Sequence, residues 1–146
     1  MKYVEEVDIN LPIDRVIELF DNAENLKQWQ PGLVSFEPLS GTAGEVGAKS
    51  KLVYQMGKNN CELIETITVK NLPDEFSGTY ETKGMWNTVT NRFVAVNESS
   101  TKWICESEFK GQSLMMKLMM FFAPGMFKKE TCKMLKNFEA FAEKAG

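Results

Sequence analysis

From Tyr3 to Asn10 apolar and polar residues alternate, which puts Tyr3, Glu5, Val7 and Ile9 on one face of an opening strand. The period changes at "LPIDRVIELFDN". Pro12 suits a first helical turn, and Val16, Ile17, Leu19 and Phe20 are spaced for one buried side. "AENLKQWQ" predicts a second short helix, ended by Pro31-Gly32. Strand patterns follow in "LVSFEPL", in "AKSKLVYQMG", where Leu52, Tyr54 and Met56 share a side, and in the β-branched "CELIETITVK". "NLPDEFSGTYETKG" adds a turn and a strand, and "MWNTVTNRFVAV" and "TKWICESEFKG" flank the hairpin-like "NESS". The pattern predicts roughly seven strands with two helices after the first, and short links make neighbours antiparallel.

The C-terminal part turns helical. Pro124-Gly125 divides a short helix over 113–122 from a long one. In the long helix Phe127, Thr131, Met134, Leu135, Phe138, Phe141, Ala142 and Ala145 form an apolar stripe, with Lys128, Lys129, Lys133, Lys136 and Lys144 mostly opposite. A sheet of this size twists and curls, and one long amphipathic helix must cover it. The expected fold class is therefore α+β: one domain over residues 1–146, with a curved antiparallel sheet wrapped around the C-terminal helix. Unless large side chains fill the space between them, it is a cavity.

Composition narrows the function. The chain has 146 residues, 43% hydrophobic and 25% charged, ordinary values for one globular domain. A net charge of −3 gives no general attraction to nucleic acid. The charge is uneven, with 10 Lys/Arg against 17 Asp/Glu over residues 1–109, and 7 Lys against 3 Glu over 110–146. There is no histidine, which removes Ser-His-Asp and Cys-His catalysis and His-ligated metal sites. Cys61, Cys105 and Cys132 form no CxxC pair, and reduced thiols in a cytoplasmic protein are the simpler expectation. The N-terminus alternates and carries early acids, unlike a secretory signal. No apolar run approaches the about 20 residues that span a bilayer. The Gly-rich "GTAGEVGAKS" lacks the spacing of a phosphate-binding loop and reads as a turn between strands.

The unusual stretch is "SLMMKLMMFFAPGMFKK", which holds five of the nine methionines. A soft copper site there lacks any nearby Cys or His, so no metal is expected. Methionine is flexible and suits irregular apolar partners. Residues 113–122 are apolar nearly all round, and the alternatives are burial in the core, a lid over one end of the cavity, a partner or homodimer surface, and a membrane surface contact helped by Lys110, Lys117, Lys128 and Lys129.

Candidate cavity residues come from the strands and helices. Tyr54, Met56, Tyr80, Trp86, Phe93 and Trp103 are expected to include the wall, joined by Trp29, Met119, Phe122, Met126 and Met134. Glu65 shares a strand face with Leu63, Ile67 and Val69. On a concave face its pKa would rise, making it the candidate acid, base or ligand anchor. Asn91, with Val89 and Phe93, could orient a carbonyl, whereas Arg92 points the other way.

Read in order, "INLPIDRVIELFDNAENLKQWQPGL", "GTAGEVGAKSKL", "NLPDEFSGTYE", "NRFVAVNESSTKWICESEF" and "MLKNFEAFAEKAG" cover essentially the whole chain and resemble the SRPBCC superfamily, also called START-like or Bet v 1-like. The polyketide cyclase/dehydrase-like branch is the most similar. The resemblance implies a helix-grip fold and a small apolar or amphipathic partner held inside it, with no cofactor. It implies, as an alternative, a polyketide-type cyclase or dehydratase using the same cavity. The Gly-Trp and leucine pattern of the branch resembling the Hsp90 ATPase activator is missing, as are Cys/His ligands of Rieske-associated members. No catalytic residue of the aromatic-ring cyclases can be matched here.

Overall fold

In a computed structural model the chain runs β1 (Lys2–Ile9), α1 (Ile13–Phe20), a 3₁₀ turn (Ala23–Asn25), α2 (Leu26–Trp29), β2 (Leu33–Ser40), β3 (Lys49–Met56), β4 (Asn59–Asn71), β5 (Glu75–Thr82), β6 (Met85–Asn97), β7 (Ser100–Gly111), α3 (Leu114–Phe122) and α4 (Pro124–Ala145). The structure describes residues 1–146 except the side chains of Met56 and Met119. Among the described residues all seven strands join one curved antiparallel sheet in the order β1-β7-β6-β5-β4-β3-β2, and α4 packs on its concave side. This is the α+β arrangement expected from the sequence.

Alternation along each strand decides what meets α4. Val7 lies opposite Trp103, and Phe93 opposite Trp103 on the other side. The apolar stripe of α4 supplies Leu135, Phe138 and Ala142, all fully buried. Rings dominate this core: the Phe138 ring stands 5.1 Å from Trp29 and 5.2 Å from Trp103, both edge-on, and Phe20 is 4.8 Å from Phe93. Edge-to-face geometry suits the charge distribution of aromatic rings. Two hydroxyls fasten the elements. Tyr3 on β1 donates to the Phe127 carbonyl of α4 at 3.0 Å, and Thr101 donates to the Leu11 carbonyl at 2.8 Å.

Two details depart from simple alternation. In β4, Ile67 pairs with Gly78 but Val69 pairs with Ser77, so Thr68 is an extra residue. The bulge turns Val69 outward, correcting its expected place beside Glu65 and Ile67, and brings Lys70 inward. The second concerns α3. It is not core: Leu114, Met115, Leu118, Phe121 and Phe122 are exposed, while Met116 and Met120 are half-buried towards the sheet. Gly111 allows this close approach, since a Cβ there would lie 2.5 Å from Met120 Cε and 2.9 Å from the Lys117 nitrogen.

Phe138 is at the centre of the ring cluster with no exposed surface. Phe138→Ala should lower unfolding free energy by about 3–5 kcal/mol in urea denaturation. A loss below about 1 kcal/mol, the level of an average substitution, would contradict this packing.

Candidate functional site

The ring cluster fills only part of the space under the sheet. Beside it, the inward faces of β3 to β6 carry small groups at central positions. Ser50 pairs with Glu65, and Gly78 pairs with Ile67 on one side and Val89 on the other. Gly78 is buried and offers no side chain, and a Cβ there would be 3.0 Å from the Thr66 carbonyl oxygen. The result is a cavity of about 350 Å³, with Leu52, Ile67, Val89 and Phe76 on its sheet side. Trp29, Trp103 and Met134 form the wall shared with the core.

Polar groups gather on one part of this space and at its mouth, among them Gln30, Ser50, Tyr54, Glu65, Tyr80 and Asn91. The Tyr80 hydroxyl donates to Glu65 Oε2 at 2.7 Å, joining two adjacent strands at directly paired positions. The Tyr54 hydroxyl donates to Gln30 Oε1, tying β3 to the end of α2. Burial pushes the Glu65 carboxyl above its usual 4.5, although the hydrogen bond from Tyr80 favours the carboxylate. Burial, then the charge of Glu65, pushes both phenols upward, so each stays a neutral donor. Asn91 is already engaged. Its Oδ1 accepts the Trp103 indole N–H at 2.9 Å and its Nδ2 donates to the Phe76 carbonyl at 3.2 Å. Its expected role of orienting a ligand carbonyl thus gives way to holding Trp103 in place. Among the described residues, the Trp29 indole N–H is buried without a partner.

The lining residues most open to solvent are Asp21, Asn22, Ala23 and Ala43, so the cavity opens between the end of α1 and the β2–β3 turn. Lys70, delivered inward by the bulge, reaches Asp21 and Glu45 at 3.5 Å each across this opening. Among the described residues no group of three or more acidic or cysteine side chains is placed to hold a metal. Cys105 lies in the core, where burial pushes its thiol up to about 11, far from a reactive thiolate.

Of the residues expected at the site, the fold brings Trp29, Tyr54, Glu65, Tyr80, Asn91, Trp103 and Met134 to the cavity. Trp86 does not reach it. It alternates with Asn87 and stands on the convex face, beside Glu62, Glu81 and Lys83. Phe93 belongs to the core, stacked on Trp103 at 5.7 Å. Phe122 and Met126 are exposed on α3 and on the first turn of α4, away from the cavity. The Met56 and Met119 side chains, also expected at the site, lie outside the described residues. Sequence reading missed Phe20, Gln30 and Lys70. Phe20 was assigned to a buried helix side without a view of what lay beneath, and only the bulge at Thr68 reveals Lys70.

A raised folded pKa means that Glu65 contributes stability that is complete below its ordinary 4.5 and lost as pH rises through the folded value. The stability of the wild type relative to Glu65→Gln should therefore fall across that interval in urea titrations. A difference that stays flat or grows with pH would contradict the burial of this acid.

No protein-family model matches the sequence, and no curated protein matches it. Solved structures do. A START superfamily protein from Mycobacterium smegmatis superposes with a TM-score of 0.77 at 12% identity, covering 99% of each chain. The Zhui aromatase/cyclase from Streptomyces sp. R1128 gives 0.79 at 10% identity, over 99% of this chain and 94% of that one. Norcoclaurine synthase from Thalictrum flavum, in complex with dopamine and hydroxybenzaldehyde, gives 0.75 at 14% identity, over 100% and 88%. At such identities the likeness is one of fold alone: the chain has the helix-grip fold that these structures share, a curved antiparallel sheet closed by a C-terminal helix.

Proposed function

We propose that the protein binds a small apolar or amphipathic molecule in the cavity between the sheet and α4. The observation that carries this reading is the cavity of about 350 Å³, walled by rings and aliphatic side chains and holding one acid–phenol pair. Ligand sites have this character, with volumes of about 300–1,000 Å³ and few polar groups that fix orientation. The low end of that range suits a compact guest. Affinity comes from burying its apolar surface, the Glu65–Tyr80 pair accepts a hydrogen bond from a guest hydroxyl, and the Trp29 indole N–H offers a donor to a guest oxygen. Structural likeness to a synthase in complex with two small aromatic compounds supports the same use of the space.

A second reading is a cyclase or dehydratase of polyketide-like carbonyl compounds. It is favoured by the Glu65–Tyr80 contact, which could move a proton to or from a folded substrate, and by the likeness to an aromatase/cyclase. Separately, the exposed apolar α3 favours a contact outside the cavity with a lipid or protein surface.

The protein as isolated should retain a small organic molecule in native mass spectrometry, and should bind the fluorescent probe anilinonaphthalene sulfonate. Val89→Phe, which pushes a ring into the cavity, should weaken probe binding about tenfold or more. Trp86→Phe, on the outer face, should leave it unchanged. Equal affinity in both variants would contradict binding inside the cavity. Glu65→Gln should abolish turnover of an oxo-substrate while retaining the probe under the enzyme reading, and a variant with undiminished turnover would remove Glu65 from it.

A further inference from the structure

We propose that α3 and the lysine-bearing face of α4 form a docking surface for an anionic phospholipid bilayer. The proposal rests on reading α3 as a contact surface and is independent of any guest in the cavity. The inner side of α3 is spoken for. Met120 packs over Gly111, and a Cβ at Gly84 would lie 3.2 Å from Met116 Cγ. The outer side carries Leu114, Met115, Leu118, Phe121 and Phe122, the two phenylalanines each 77% exposed, and Met126 continues the patch onto α4. A patch of this kind is covered in use or is an aggregation hazard.

Charge selects what covers it. No Asp or Glu occurs between residues 109 and 129, whereas Lys110, Lys117, Lys128 and Lys129 do. Lys128 and Lys129 line one shallow groove with Lys133 and Lys136, so the basic face runs on along α4 from the apolar end. Lys110 contacts Glu108 at 3.5 Å, an exposed pair of little strength that an anionic surface can replace, and the exposed Lys128 reaches the half-buried Glu5 at 3.6 Å. Apolar side chains flanked by lysines suit the boundary between acyl chains and anionic head groups. The bulk of the chain carries the opposite sign, since residues 1–109 hold 17 acids against 10 bases. Only this end of the molecule is therefore drawn to an anionic membrane. A two-fold contact between copies through α3 would bring lysines against lysines with no acid between 109 and 129 to pair them. Unbranched methionines also conform to disordered acyl chains.

The test is co-sedimentation of the full chain with phosphatidylcholine vesicles, with and without phosphatidylserine. Binding should require phosphatidylserine and be released by salt. Lys117→Gln with Lys129→Gln should weaken it about thirtyfold, at about 1 kcal/mol for each lysine. Phe121→Ser with Phe122→Ser should abolish it without changing the melting temperature, because both rings are exposed. Val89→Phe, confined to the cavity, should sediment like the wild type, so membrane docking and cavity binding fail separately. Failure to sediment, or equal sedimentation without phosphatidylserine, would overturn the proposal. So would a dimer in light scattering that the double serine variant dissolves, with no vesicle binding. That result would leave α3 as a contact surface and assign it to a second copy.

Discussion

The fold depends on the cover that one helix can give a curved sheet. Seven strands present a concave face wider than α4, which lies nearest the edge strand β1 and meets β7 beside it through Phe138 and Trp103. Where rings are available the gap closes: Phe20, Trp29, Phe93, Trp103 and Phe138 interlock at centroid distances of about 5 to 6 Å, the spacing at which aromatic pairs attract. Where the sheet offers Ser50, Ile67 and Val89 instead, it does not close. Core and cavity are thus one continuous structure, and Trp29 and Trp103 belong to both. A change in either ring acts on stability and on the shape of the site together.

The same economy governs polar groups. Burying an unpaired polar atom is unfavourable, so those near the cavity bond to one another: Tyr80 to Glu65, Tyr54 to Gln30, Trp103 to Asn91. Asn91 spends both ends of its amide on holding Trp103 and the β5 backbone, which makes it a brace for the wall. Glu65 keeps acceptor capacity beyond its bond to Tyr80, and the Trp29 N–H remains a donor without a partner among the described residues. These are the groups with hydrogen bonds left to give a guest.

Much of this was readable in the sequence. Alternation grouped Tyr54 with Leu52 and Asn91 with Val89, and the break at Pro124-Gly125 marked the start of α4. Alternation also grouped Glu65 with Leu63 and Ile67, and left open whether that face was the concave one. The failures have specific causes. Period-two alternation cannot foresee an inserted residue, so Thr68 reversed Val69 and Lys70. Aromatic character alone does not choose a face, and Trp86 is one position out of phase with Val89 and Asn91. An all-apolar helix is usually buried, yet α3 follows the last strand and, among the described residues, leaves Leu114, Met115, Leu118, Phe121 and Phe122 exposed. The hollow itself lies among Ser50, Ile67, Val89 and Met134, and alternation alone does not tell a lined space from a filled one.

The central claim is that α4 and the sheet stand apart beside the ring cluster, and occupancy by a probe without polar contacts tests it most directly. Apolar cavities of this kind take up xenon. Crystals equilibrated under xenon pressure should show it between Ile67, Val89 and Met134, bounded by Trp103. Rings of Phe20, Trp29 and Trp103 packed unbroken against Met134 and Val89, with no xenon between them, would contradict the account.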